Sequence, residues 1–277
     1  MVTLKSLENG FRYVDIKNSN AHVKIALQGA HIFEYKRQGE KPLLWLSPLS
    51  DFEEGRAIRG GVPLCWPAFG TNNPQLKQHG FARVSMFEFM GAKEINEGLT
   101  EVLFELRDTK ESLNIWNHKF KLEFKVTLSK SLEMQLKTTN LDDKEFLITE
   151  ALHTYFNISD ISNAKVKGLD SKAHFDALSN ENSLYEGEIT FKEEFDSVFQ
   201  GVENDLYLED NERTIQIKNE GSLSVIVWNP WIEKCSKMSA MKDDAYREFV
   251  CIESANAYED FRVLKVGESH TLKATLE

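Results

Sequence analysis

Four separated segments of this 277-residue chain each set a titratable or cationic side chain beside aromatic and glycine residues. They are Ile58-Arg59-Gly60-Gly61-Val62-Pro63-Leu64-Cys65-Trp66-Pro67, Gln78-His79-Gly80-Phe81-Ala82-Arg83, Glu150-Ala151-Leu152-His153-Thr154-Tyr155-Phe156 and Phe249-Val250-Cys251-Ile252-Glu253-Ser254. Together they suit a small ligand that offers hydroxyls, an apolar ring face and an anionic group. Arg59 before two glycines can aim a guanidinium fork into a site while bare backbone lets a ligand approach, and phosphate is its natural guest. The same spacing equally fits a turn whose arginine pairs with a surface carboxylate. Gln78, His79 and Arg83 bring an amide, an imidazole and a second guanidinium together, a mixture able to read hydroxyls and a charge, although His79 alone is more commonly a hydrogen-bonded structural histidine.

Strand alternation puts His153 with Ala151 and Tyr155 on the face opposite Leu152, Thr154 and Phe156, so it faces a cleft or an aromatic wall. Taken singly, it too reads first as a satisfied core histidine. Glu253 is the one charge after four apolar residues in a buried-strand pattern. Such a carboxylate either ends its strand at the surface or lies in a site whose surroundings tune it for proton transfer. Asp196, after Glu193-Glu194-Phe195, reads by itself as part of a solvated acidic face. Trp66, Phe69, Trp228 and Trp231 offer surfaces suited to a sugar ring, though aromatic residues more often fill cores.

The elements that must carry these groups are strands. Period-two alternation runs through Leu122-Phe124-Val126-Leu128 against Glu123, Lys125 and Thr127, and returns at Val23-Ile25-Leu27, Val102-Phe104-Leu106, Ile215-Ile217, Leu223-Val225-Val227 and Leu272-Ala274-Leu276; this is the signature of half-buried antiparallel strands. Turn chemistry at Glu97-Gly98, Asn140-Leu141-Asp142-Asp143 and Asn219-Glu220-Gly221 favours hairpins over helical crossovers. Without linker, repeat or long amphipathic helix, the expectation is an all-β fold: one domain over residues 1–277, a large antiparallel β-sandwich with few short helices, one of them near Asp243–Phe249. The stretch from Pro42 to Arg83, which holds Pro42, Pro48, Pro63, Pro67 and Pro74, breaks the alternation and is expected to be irregular, where binding residues tend to sit.

Composition narrows the partners. A net charge of −11 with no basic stripe argues against nucleic acid, and 41% hydrophobic with 28% charged residues is ordinary for a globular protein. Cys65, Cys235 and Cys251 fit neither a disulfide framework nor a metal knuckle and read as reduced structural thiols, so no metal is expected. No secretory h-region and no long apolar run is present, which gives a cytosolic expectation with no membrane partner. A monomer is expected, because no separate interface element is evident.

Taken in order, the segments IRGGVPLCWPAFG, QHGFAR, EALHTYFNISDI, VWNPW and FVCIESAN resemble the hexose-6-phosphate mutarotases, or glucose-6-phosphate 1-epimerases, of the aldose 1-epimerase superfamily, from about residue 55 to 260. The resemblance implies a galactose mutarotase-type sandwich and interconversion of the α and β anomers of a hexose 6-phosphate without a cofactor. It also implies His153 as general acid, Glu253 as general base, and Arg59, Gln78, Arg83, His79 and Asp196 as substrate- and phosphate-binding residues. Opening a cyclic hemiacetal requires such a pair, because the anomeric hydroxyl must lose a proton while the ring oxygen gains one. Two departures stand out. Asp196 lies in Phe-Asp-Ser-Val-Phe where the family usually has Thr-Asp-Arg-Val-Tyr, and Val84-Ser85-Met86-Phe87 replaces the usual Asn-Leu-Pro-Trp, so the adjoining pocket wall is expected to differ. A non-catalytic carbohydrate sensor on the same fold, or a polysaccharide lyase or hydrolase, are the competing readings.

Overall fold

The computed structural model describes residues 1–71 and 73–277. Its named strands pair antiparallel throughout, in two large sheets and two small ones. A nine-stranded sheet is built around the hairpins of Leu99–Arg107, Phe120–Leu128, Leu132–Asn140 and Ser269–Leu276. An eight-stranded sheet runs in spatial order through Glu181–Leu184, Ala173–Asp176, Phe195–Gln200, Ser224–Asn229, Phe249–Asn256, Glu150–Leu152 and Leu64–Cys65, with Tyr155–Asn157 also paired to Phe249–Asn256. Val2–Ser6, Arg12–Lys17, Ala21–Ala26 and Ile32–Arg37 form a four-stranded sheet at the amino terminus.

The alternation of apolar residues explains how the large sheets meet. Phe124, Val126, Leu136 and Leu272 from the nine-stranded sheet pack in one continuous core with Leu152, Phe156, Phe199, Val225, Val227, Val250 and Ile252 from the eight-stranded sheet. The residues between these, Ala151, Tyr155, Val198, Ile226, Trp228, Phe249, Cys251 and Ala255, belong to a second apolar cluster on the other face of the eight-stranded sheet. That sheet is therefore buried on both faces, which is why its central strand Phe249–Asn256 reads as a continuous apolar run and is buried along its whole length. Trp66 is fully buried between the sheets against Trp116, Phe81 and Phe120; of the four aromatics singled out for a sugar face, it belongs to the core.

The Pro42–Arg83 excursion is mostly irregular, as its prolines predict, but it is tied down along the edge of the eight-stranded sheet. Leu64–Cys65 pairs with Ala151 and Leu152, and Gly61 O and Pro63 O accept from Tyr155 N and His153 N at 2.9 and 3.0 Å. Helices are short: Lys110–Ile115, opened by a Thr109/Ser112 capping box, and Trp231–Lys237. The helix expected near Asp243–Phe249 is a single 3₁₀ turn, Ala245–Arg247. Segments of one or two turns are too brief to show a helical period in sequence.

Glu150 shares the strand Glu150–Leu152 with Ala151 but points between the sheets. Trp66 Nε1 donates to Thr138 Oγ1 at 2.9 Å, and Thr138 Oγ1 lies 3.4 Å from Glu150 Oε2. Complete burial pushes the Glu150 carboxyl up to about 8. The folded protein thus keeps a proton there that the unfolded chain loses near 4.5. Across that window the unfolded state binds fewer protons, so this group's contribution to stability falls as pH rises and levels off above about 8. Urea unfolding is expected to show Glu150→Gln gaining on the wild type between about pH 5 and pH 8; a difference independent of pH would contradict a buried neutral acid.

Candidate active site

Register brings His153 and Glu253 together. Ala151 pairs with Ala255 and Tyr155 with Cys251, so residue 153 falls opposite residue 253 although the ladder is interrupted between the two short strands. Neighbours of this kind on one face of a sheet lie about 5 Å apart at Cβ. His153 Nε2 is accordingly 3.3 Å from Glu253 Oε1, with both side chains buried. Glu253 therefore does not end its strand at the surface; it sits in mid-strand on the face turned away from the inter-sheet core. On the neighbouring strands Ile226 is opposite Glu253 and Asp196 is opposite Trp228, which adds Asp196 to the same face.

These groups line a cavity of about 440 Å³ together with Arg59, Phe69, Gln78, His79, Arg83, Tyr155, Trp228 and Lys234. All seven residues singled out from sequence converge there. Phe69 and Trp228 supply its aromatic surface. Asp196 and Val198 line it, whereas Ser197 between them is buried toward the other face, so the departure from the family's arginine falls outside the cavity. Val84–Phe87 also lie away from it: Met86 and Phe87 instead line a shallow groove with Leu4, Arg12 and Leu27. The expectation of an altered wall from that substitution is corrected on this point.

The two arginines are uncommitted to carboxylates. Among the described residues no carboxylate lies within ion-pair distance of the Arg59 or Arg83 guanidinium, and Arg83 Nη2 donates to the Gln78 carbonyl at 2.8 Å. The surface-pairing alternative for Arg59 is thereby removed. Gln78 itself is exposed at the rim. Sequence reasoning missed Lys234, carried in by helix Trp231–Lys237. Its Nζ is 2.7 Å from Glu194, 3.6 Å from Asp196 and 5.9 Å from the Trp228 ring centroid. The Val227-Trp228-Asn229-Pro230-Trp231 motif just upstream was the available signal.

Burial dominates the electrostatics. It pushes the Glu253 carboxyl well above the usual carboxylate range, with the Asp196 charge adding to the rise and Arg83 opposing it. It pulls the His153 imidazole well below its ordinary value, with His79, Arg83 and Arg59 adding to the fall. Asp196 is also raised by burial, against the nearby Lys234. Both members of the central pair thus favour their neutral forms, an imidazole beside a carboxylic acid.

His79 is held by its backbone. It adopts φ +66, and Gly80 follows at φ +70 where a Cβ would stand 2.1 Å from Trp66 O; glycine is what lets this turn lie on the Trp66 carbonyl. The His79 Nδ1 accepts from Gly70 N at 3.2 Å, which leaves its proton on Nε2. Burial, then the charges of Arg83 and Arg59, bring its pKa down to about 3. Nitrogen-15 NMR is expected to show His79 as the neutral Nε2–H tautomer unchanged from about pH 8 to pH 5; an imidazolium signal appearing near 6.5 would contradict this environment.

The outer face of the eight-stranded sheet thus carries a buried imidazole–carboxyl contact, aromatic walls and three cations around one cavity. The family model described as Aldose 1-epimerase matches residues 12–277, and the chain belongs to that family. It is 36% identical over 260 residues to the "Putative glucose-6-phosphate 1-epimerase" of Escherichia coli K12, covering 92% of this chain and 86% of that one. A crystal structure titled as a putative mutarotase from Salmonella typhimurium superposes with a TM-score of 0.92 at 31% identity, covering 99% of this chain and 92% of that one. Galactose 1-epimerase from Lactobacillus acidophilus shares the fold, with a TM-score of 0.78 at 14% identity over 100% of this chain and 98% of that one. The protein is accordingly an epimerase with a small carbohydrate as its ligand. No helix among the described residues is long and apolar enough to cross a membrane.

Proposed function

We propose that the protein interconverts the α and β anomers of a hexose 6-phosphate, with glucose 6-phosphate the first candidate, by ring opening and closure without a cofactor. The observation that carries this reading is the contact of His153 Nε2 with Glu253 Oε1 at 3.3 Å in a cavity where, among the described residues, Arg59 and Arg83 have no carboxylate partner. The names of the curated relatives favour the same substrate.

In this mechanism Glu253 takes the proton of the anomeric hydroxyl while His153 delivers one to the ring oxygen, and the C1–O5 bond breaks to give the open aldehyde. Rotation about C1–C2 presents the other carbonyl face. The O5 hydroxyl then attacks it, returning its proton to His153 as Glu253 protonates the new anomeric oxygen. The pair holds one proton in either arrangement. The carboxylic acid with neutral imidazole left after ring opening is the arrangement that burial favours, so the environment stabilises the state generated by bond breaking.

Arg59 and Arg83 would hold the phosphate through charge-assisted contacts of roughly 1.5–3 kcal/mol each. A bound dianion also offsets the two positive charges that oppose protonation of His153. Asp196 and Gln78 orient ring hydroxyls, and the neutral His79 offers its Nε2–H as a donor. Associated proposals are that residues 1–277 act as one domain and that the protein works as a cytosolic monomer.

NMR exchange spectroscopy on equilibrated glucose 6-phosphate, with free glucose and galactose as controls, tests the assignment. The wild type is expected to accelerate exchange of the phosphate ester selectively, and His153→Ala or Glu253→Gln to lower the rate at least about 100-fold with folding intact. Saturable sugar binding without faster exchange would instead mark a non-catalytic binding module, and equal acceleration of the free sugars would mark a broader aldose epimerase.

A further inference from the structure

His153 lacks the usual means of orientation. Acid–base histidines are normally aimed by a hydrogen bond at the ring nitrogen away from the chemistry, yet His153 Nδ1 is buried with no hydrogen-bond partner. Its plane must be set by packing. Three rings surround it: Trp228 and His79 meet it edge-on at 6.1 and 5.6 Å, and Tyr155 lies parallel, 4.9 Å away at an interplanar angle of 6°. Edge contacts limit where the imidazole can go. The Nε2 contact with Glu253 directs one ring edge, and among the ring contacts only the parallel one defines the plane.

Tyr155 is itself immobilised. It is 2% exposed and contacts Trp45, Phe249 and Trp228 at ring distances of 5.9, 5.1 and 6.1 Å. Trp45 is in turn anchored by Nε1 donating to Glu248 at 2.8 Å. The Tyr155 backbone is held on both sides, its N donating to Gly61 O and its O accepting from Trp45 N, each at 2.9 Å. The ring lines the same cavity as His153 and Glu253.

We propose that Tyr155 is the positioning residue of this site: its ring, stacked on His153, sets the plane of the imidazole. The inference rests on the epimerase reading above for its kinetic consequences, but its geometric content is independent of it.

Substitution tests the stack. Tyr155→Phe keeps it, so for glucose 6-phosphate kcat is expected to stay within about 3-fold of the wild type. Tyr155→Leu removes it and is expected to lower kcat at least about 10-fold, at matched folding by circular dichroism. Should leucine prevent folding, Tyr155→Met is the substitute. A role in packing alone predicts loss of stability with kcat of the folded leucine variant unchanged. Equal kcat values for the phenylalanine and leucine variants would overturn the proposal. His153 imidazole resonances, assigned by their loss in His153→Asn, give a readout that needs no turnover: they should move strongly in Tyr155→Leu and little in Tyr155→Phe, and their failure to move would equally overturn it. Absence of anomer exchange in the wild type would defeat the epimerase reading and leave the resonance comparison to decide the inference about Tyr155.

Discussion

The structure around the cavity depends on keeping an imidazole and a carboxyl in contact on the face of an apolar sheet. The cost of burying ionisable groups is large enough that they stay neutral or share a proton unless something charged approaches. That cost is borne by cross-strand register: the pairings Ala151 with Ala255 and Tyr155 with Cys251 set His153 and Glu253 directly opposite each other on one face. A shift of one residue in either strand would send one of them into the inter-sheet core. The strong antiparallel pairing around them is thus a condition for the chemistry.

The eight-stranded sheet can impose this register because its other face is committed. Leu152, Phe156, Val225, Val227, Val250 and Ile252 are locked in the core shared with the nine-stranded sheet, and truncating one large side chain of such a core costs roughly 2–5 kcal/mol. The outer face then holds the complementary set of residues by parity alone. It is closed over by segments that are irregular but not loose. Ser47 Oγ donates to Ala240 O at 2.6 Å and Trp45 Nε1 to Glu248, which joins the Pro42–Arg83 excursion to the chain following Trp231–Lys237. The cavity is walled by both, so cations from three places in sequence, Arg59, Arg83 and Lys234, surround one space.

The charge pattern inside that space is uneven. Asp196 raises the proton affinity of Glu253 while Arg83 opposes it, and burial and Glu194 raise Asp196 while Lys234 restrains it. Among the described residues the two arginines have no carboxylate counter-ion. The same side chains that would bind the anion set the proton balance of the pair that would act on the ring.

Read alone, the alternation of apolar and polar residues determined the all-β class, the antiparallel pairing and the two faces of the strand that carries His153, because period-two patterning is a local consequence of backbone geometry; Glu253 stood in a continuous apolar run and Asp196 in an acidic stretch, so neither showed its face. The motifs named every group that the register later brought together. Tertiary structure decided the rest. Whether Glu253 ended its strand or lay within it, whether Arg59 met a carboxylate, and that Ser197 and Val84–Phe87 turn away from the cavity were settled by pairing partners distant in sequence. The approach of Lys234 to Asp196, and the stacking of Tyr155 on His153, likewise follow from helix placement and from a crowded aromatic cluster. No short-range signal encodes them, since packing distance depends on elements that touch only after the chain has folded.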